Sequence, residues 1–104
     1  MSNSSVLSLL GFAAKAGKLS FGTHATEFAI TSGKARLVCA AEDISEKSKK
    51  ELKFKAGKKN IPVIIIEGIN TATLSGRVGK NCGILAVLDQ GFADAILTKG
   101  GKTL

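Results

Sequence analysis

Tryptophan and tyrosine are absent from this chain of 104 residues, and histidine and proline occur once each. Two cysteines and eight acidic residues complete the shortages. Each one closes off a class of chemistry. Cys39 lies inside an apolar run and Cys82 in a glycine-rich loop, too far apart for a CxxC pair, and His24 is the only imidazole. No zinc site or thiol triad can be assembled from that set. Two isolated cysteines in a lysine-rich chain fit a reducing cytosol better than a secreted disulfide scaffold. Apart from Ser2, Asn3, Ser4 and Ser5, no serine- or proline-rich tract reads as linker. Met1 to Ser5 lacks a charged n-region and Val6 to Ala14 lacks a cleavage context, so no signal peptide is expected. The apolar runs are too short to span a bilayer, and a cytoplasmic location is expected.

The shortage of acids sets the charge. Fifteen Lys and Arg against eight Asp and Glu leave a net +7, scattered through every loop. Such a field favours polyanions, although ordinary solvated lysines also produce it. With 44% hydrophobic residues the length suits one domain over residues 1–104, burying roughly 65% of its unfolded surface without disulfides or metal.

Apolar residues Val6, Leu9, Leu10, Phe12, Ala13 and Ala16 recur at helical spacing, with Ser4 or Ser5 as N-cap and Gly17 as terminator. Lys18 to Phe21 reads as a strand, and a second helix runs from Gly22 or Thr23 to Gly33. Leu37 to Ala41 is continuously apolar, as expected of a strand covered on both faces. Ser45 caps a charged helix from Glu46 to Gly57, and Val63 to Ile66 is another fully apolar strand. Thr71 or Thr73 then caps a helix around Leu74 to Val78, Gly83 to Leu88 is the last strand, and a helix spans Phe92 to Leu97. Residues 98–104 form a basic tail. The alternation predicts a three-layer α/β/α sandwich with a mixed, mainly parallel four-stranded sheet.

Gly11 to Leu19 has the wrong spacing and no hydroxyl for a phosphate loop, and Gly76 to Gly83 lacks the preceding strand and later acid of a dinucleotide fingerprint. Glu42 and Asp43, after the strand Leu37 to Ala41, are the one candidate pair of catalytic carboxylates. A structural role suits them better: Asp43 can accept from backbone amides in the turn toward the next helix. Without a nucleophile beside a base, no enzyme is expected.

A helix N-terminus preceded by glycine offers free amides and a positive dipole end to phosphates or base edges. Gly22, Thr23, His24, Ala25 and Thr26 form such a terminus. Lys15, Lys18, Lys34 and Arg36 flank it in sequence, and Arg77 and Lys80 lie on a loop that can reach the same side.

The segments LLGFAAKAGKLSFG, AITSGKARLVCAAED, NIPV, LSGRVGK and ILAVLDQGFA, in this order, resemble the superfamily of ribosomal proteins named L-seven-Ae and L-thirty-e, in its short bacterial YlxQ-type form. The resemblance covers nearly the whole chain and implies an RNA-binding protein specific for kink-turn RNA. In that family the second helix opens with Gly-x-Asn-Glu and carries a Lys one turn later, and these residues read tandem sheared G·A pairs. Gly22 matches the glycine, whereas His24 stands for Asn, Ala25 for Glu and Phe28 for Lys; Phe28 is expected to turn into the core. The loop before the last strand, Val78, Gly79, Lys80, Asn81, Cys82, Gly83 and Ile84, corresponds to the family's contact with bulged nucleotides. With the basic flanks, RNA contacts are expected from Gly22, Thr23, His24, Thr26, Val78 and Gly79, with Lys18, Lys34, Arg36, Arg77 and Lys80 on phosphates. Structured ribosomal or other RNA is the expected partner, bound without a cofactor, with the ribosome or translation factors as further partners; the small core and high net charge favour a monomer, and the cysteine and histidine spacing leaves no metal site. The alternative is a protein-interaction module on the same scaffold, docking on a ribosome-associated or transcription factor through the third helix or the Val78 to Ile84 loop.

Overall fold

Apolar strands that are buried along their whole length need helices on both sides, and the chain supplies them in alternation. The computed structural model describes residues 2–100 and 102–104. Helices α1 (Ser2–Lys15), α2 (Thr23–Thr31), α3 (Glu46–Gly57), α4 (Thr71–Val78) and α5 (Gln90–Lys99) interleave with strands β1 (Leu19–Phe21), β2 (Leu37–Ala41), β3 (Val63–Ile66), β4 (Ile84–Val87) and β5 (Lys102–Thr103). Every residue of β2, β3 and β4 is buried. Leu37, Cys39 and Ala41 of β2 face a core shared with α1, α4 and α5, while Val38 and Ala40 face a second core under α2 and α3. The period-2 alternation of a strand thus divides one apolar run between two layers.

The sandwich and its mixed sheet agree with the sequence reading; the strand directions correct it. The order is β1-β4-β2-β3-β5, and among the described residues only β2 and β3 pair in parallel while the other three pairings are antiparallel. Strands β1, β2 and β3 do run the same way. The eight-residue α4, however, leaves β3 and returns to the same end of the sheet, so β4 enters there and inserts antiparallel between β1 and β2. The tail contributes a fifth strand: Lys102 and Thr103 pair with Ile65 and Ile64, and the Leu104 amide donates to Val63 O at 2.9 Å. Gly101 of that tail, and Met1, lie outside the described residues.

Helix ends differ in detail from the expectation. Helix α1 is already formed at Ser2, so Ser4 and Ser5 are helical rather than capping, and α4 is capped by Asn70 rather than a threonine. Helix α5 starts two residues earlier than expected, behind an Asp89 cap. Among the described residues no helix is long and apolar enough to cross a membrane.

Candidate functional site

Gly22 ends β1 and opens α2 with φ 91°, a conformation that favours glycine because a Cβ would crowd the backbone. Its amide donates to Ile84 O at 2.8 Å, which holds the start of α2 beside the start of β4. Asn70 and Asp89 cap α4 and α5, and Ser45 caps α3 through the Ser48 amide. Helix α2 has no side-chain cap and no acid in its first turn. The first intrahelical bond runs from the Thr26 amide to Gly22 O at 3.0 Å, so the amides of Thr23, His24 and Ala25 have no intrahelical acceptor. Together with the dipole end, they suit a phosphate or a base-edge acceptor.

The neighbouring loop between α4 and β4 is held from several sides. The Ser75 hydroxyl accepts from the Cys82 amide at 2.9 Å and donates to the Cys82 carbonyl at 3.1 Å. The Ala41 amide donates to Gly83 O at 2.8 Å. A Cβ on Gly83 would lie 2.8 Å from Thr71 Oγ1 and 3.2 Å from Ile44 Cγ2, so the loop closes on the β2–α3 turn only with glycine there. Gly79, Lys80 and Asn81 are left exposed at its tip.

Beside the tip, between α1 and α4, a hollow of about 330 Å³ is lined by Lys15, Phe21, Arg77, Gly79 and Lys80 among others. The Arg77 stem packs along α1 at Gly11, its Cδ 3.5 Å from where a Cβ would stand, an ordinary packing distance. Three cations and one aromatic residue therefore line the same hollow.

The structure gathers Gly22, Thr23, His24, Arg77, Gly79 and Lys80 at this end of the sheet, with Thr23, His24, Arg77 and Lys80 exposed. Four expectations are corrected. Thr26 is 0% exposed, on the helix face that carries Ala29 and Ile30, so its hydroxyl cannot meet an external base. Val78 packs into the core under α4 and reaches the surface only as an edge of the hollow between α1 and α4. Phe28, expected inside, is 66% exposed. Lys18, Lys34 and Arg36 lie toward the other end of the sheet, where Lys18 O accepts from the Leu88 amide and the Arg36 amide donates to Val87 O. Four residues of extended chain separate Lys18 from Gly22, roughly 13 Å.

Lys15 joins the surface, and so does Phe12, which the sequence counts with the apolar spacing of α1 but which is 61% exposed. Residues 6, 10 and 13 mark the buried stripe of α1, and position 12 falls nearly opposite position 10.

The two carboxylates are engaged structurally. Glu42 Oε1 accepts from the Gly68 amide at 3.0 Å, and Asp43 Oδ1 accepts from the Thr71 hydroxyl at 2.8 Å and the Thr71 amide at 2.9 Å. The amide bound by Asp43 belongs to α4, not to the turn toward α3. The Thr71 hydroxyl, followed by its amide, holds the Asp43 carboxyl below its ordinary range. Burial pushes both thiols up, so neither Cys39 nor Cys82 is an activated nucleophile. Among the described residues no group of three or more His, Cys, Asp or Glu can hold a metal ion.

A family model described as the ribosomal protein L7Ae/L30e/S12e/Gadd45 family matches residues 4–97. The chain is 34% identical over 87 residues to the RNA-binding protein YlxQ of Enterococcus faecium, covering 84% of this chain and 82% of that one. Among solved structures it resembles a protein of unknown function from Bacillus halodurans, with 33% identity, a TM-score of 0.83 and coverage of 90% of this chain and 94% of the other. It also resembles a 15.5kD RNA binding protein of Giardia lamblia, at 16% identity, a TM-score of 0.76 and coverage of 94% and 83%. At that identity the second likeness speaks for the fold alone.

Proposed function

The chain belongs to the ribosomal protein L7Ae/L30e/S12e/Gadd45 family, and on that premise we propose that it is a cytoplasmic, non-enzymatic protein that binds structured, kink-turn-like RNA without a cofactor. The carrying observation is the uncapped start of α2, held against the hydrogen-bonded α4–β4 loop by the Gly22 amide on Ile84 O. The amides of Thr23, His24 and Ala25 take phosphate or base-edge acceptors, and His24 supplies the side-chain hydrogen bond nearest the helix end. Gly79, Lys80 and Asn81 meet the bulged nucleotides through backbone and charge, and Lys15 and Arg77 take the phosphates that follow. RNA of ribosomal or other origin is the partner, bound by a monomer, with the ribosome or translation factors as further associates.

Ala25 and Phe28 cannot make the base contacts that Glu and Lys make at these positions in the family. A good bidentate base contact contributes roughly 1–3 kcal/mol of discrimination, so the preference for a kink-turn is expected to be moderate, about tenfold. The test is titration of a labelled kink-turn RNA beside a control whose tandem G·A pairs are replaced by Watson–Crick pairs, at two salt concentrations. Tighter binding to the kink-turn supports the reading. Equal, steeply salt-dependent binding to both removes the kink-turn and leaves a general RNA binder. Binding to neither overturns the RNA reading and favours the protein-interaction module.

A further inference from the structure

The outer face of α3 has a composition that neither the fold nor the α2 site uses. Leu52 and Ala56 face the core, so Phe54, two positions from each, must point outward, and it is 64% exposed. Around it, at helical offsets of one turn or less, stand Lys50, Lys53, Gly57 and Lys58, which with Phe54 line an open hollow of about 540 Å³; Glu51, also one turn away, does not line it. The Lys58 ammonium sits 4.4 Å from the ring centroid. Gly57 leaves the flank of the ring open, with nothing within 4 Å of where a Cβ would stand. Seven of the chain's fifteen cations fall within residues 46–59. The carboxylate of α2 that reaches this helix, Glu27, is paired with Lys55 at 2.7 Å and does not line the Phe54 hollow.

We infer that this face is a second RNA-contacting surface, on which an unpaired base stacks against Phe54 while Lys50, Lys53 and Lys58 hold the flanking phosphates. The inference rests on the RNA reading above for the nature of the polymer and extends it from one contact region to two. A lone aromatic ringed by lysines is the arrangement by which proteins hold single strands without reading sequence. A helical protein partner would need an apolar stripe at helical spacing, and α3 exposes no other large apolar residue. Lysine is also depleted from the buried centres of protein interfaces. Lys55, the residue after Phe54, pairs with Glu27, four residues and roughly 6 Å along α2 from Thr23. A single-stranded extension of an RNA seated at α2 can therefore run along α3.

The chain's lack of tryptophan and tyrosine makes Phe54→Trp a single-fluorophore reporter at an exposed position. Circular dichroism confirms its fold before use. It is titrated with the kink-turn RNA alone, with the same RNA carrying an oligouridine flank of about ten nucleotides, with free oligouridine, and with polyglutamate. Quenching by the flanked RNA, together with about tenfold tighter binding than the unflanked RNA, is the expected result. Lys50→Glu with Lys53→Glu should abolish that gain, lower the salt slope by about 1.4, and leave the affinity for the unflanked RNA unchanged. A flank that neither quenches nor tightens binding overturns the α3 surface while leaving the α2 reading intact. Quenching by oligouridine with no kink-turn preference fails the α2 reading and supports the α3 surface. Quenching by polyglutamate but by no RNA overturns the inference in favour of an acidic protein.

Discussion

Thr26 shows how closely helix phase governs what a residue can do. It lies on the buried side of α2 with Ala29 and Ile30, and among the described residues its hydroxyl has no hydrogen-bond partner. An unsatisfied buried hydroxyl costs about 1–3 kcal/mol, and valine has nearly the same shape without the polar atom. Thr26→Val should therefore raise stability by about 1 kcal/mol, or roughly 4–8 °C in Tm, in thermal unfolding followed by circular dichroism. RNA affinity should not change, since the hydroxyl is not part of the interface; a loss would return Thr26 to the site. Both this residue and Phe28 were legible in principle. A stripe through positions 26, 29 and 30 puts position 28 on the outside, but two small residues at its start make the stripe faint, and the aromatic at 28 suggests core. Residue type outweighed phase in the sequence reading, and phase prevailed in the structure.

Between elements, the site end of the sandwich is held by a chain of contacts from the β2–α3 turn to α4 and on to β4. Asp43 accepts twice from Thr71, Thr71 packs where Gly83 has no Cβ, and Glu42 takes the Gly68 amide. The Asp43 carboxyl is lowered first by the Thr71 hydroxyl, so the folded state binds its proton less readily than the unfolded chain does. That contribution is fully present above the unfolded carboxylate value, near 3.9, and is lost as the pH falls through the folded value below it. Asp43→Ala should accordingly lower Tm at neutral pH, and its gap to the parent should close below about pH 4. A gap of the same size at acid pH would mean that the loss comes from packing and not from the carboxylate. Elements marked by strong local chemistry were readable: the Ser45 cap and the Val63 to Ile66 strand stand where the sequence puts them. The direction of β4 was not, because it depends on α4 returning to its own end of the sheet, which no local pattern encodes. Strand β5 is two polar residues made regular only by the open edge of β3.

At the scale of the molecule, a net charge of +7 says that a polyanion is attracted but not where it lands. Lys18, Lys34 and Arg36 are adjacent in sequence to the start and end of α2, and sequence proximity groups them with Gly22. Their backbones flank the Leu88 end of the sheet, whereas Arg77 and Lys80, some fifty residues further along the chain, line the hollow beside Phe21. Proximity along the chain misleads here because each strand carries the backbone from one end of the sheet to the other. The Debye length is about 8 Å at physiological salt, so cations roughly 13 Å away contribute little to a compact RNA seated at α2. Lys18→Glu combined with Lys34→Glu should therefore change affinity for a minimal kink-turn RNA by about threefold or less, whereas Arg77→Glu combined with Lys80→Glu should cost well over tenfold and flatten the salt dependence. The two pairs remove the same net charge, so any difference between them measures position alone. Equal losses would show that the RNA responds to the summed field of the protein, and the interface would then have to be drawn over both ends of the sheet.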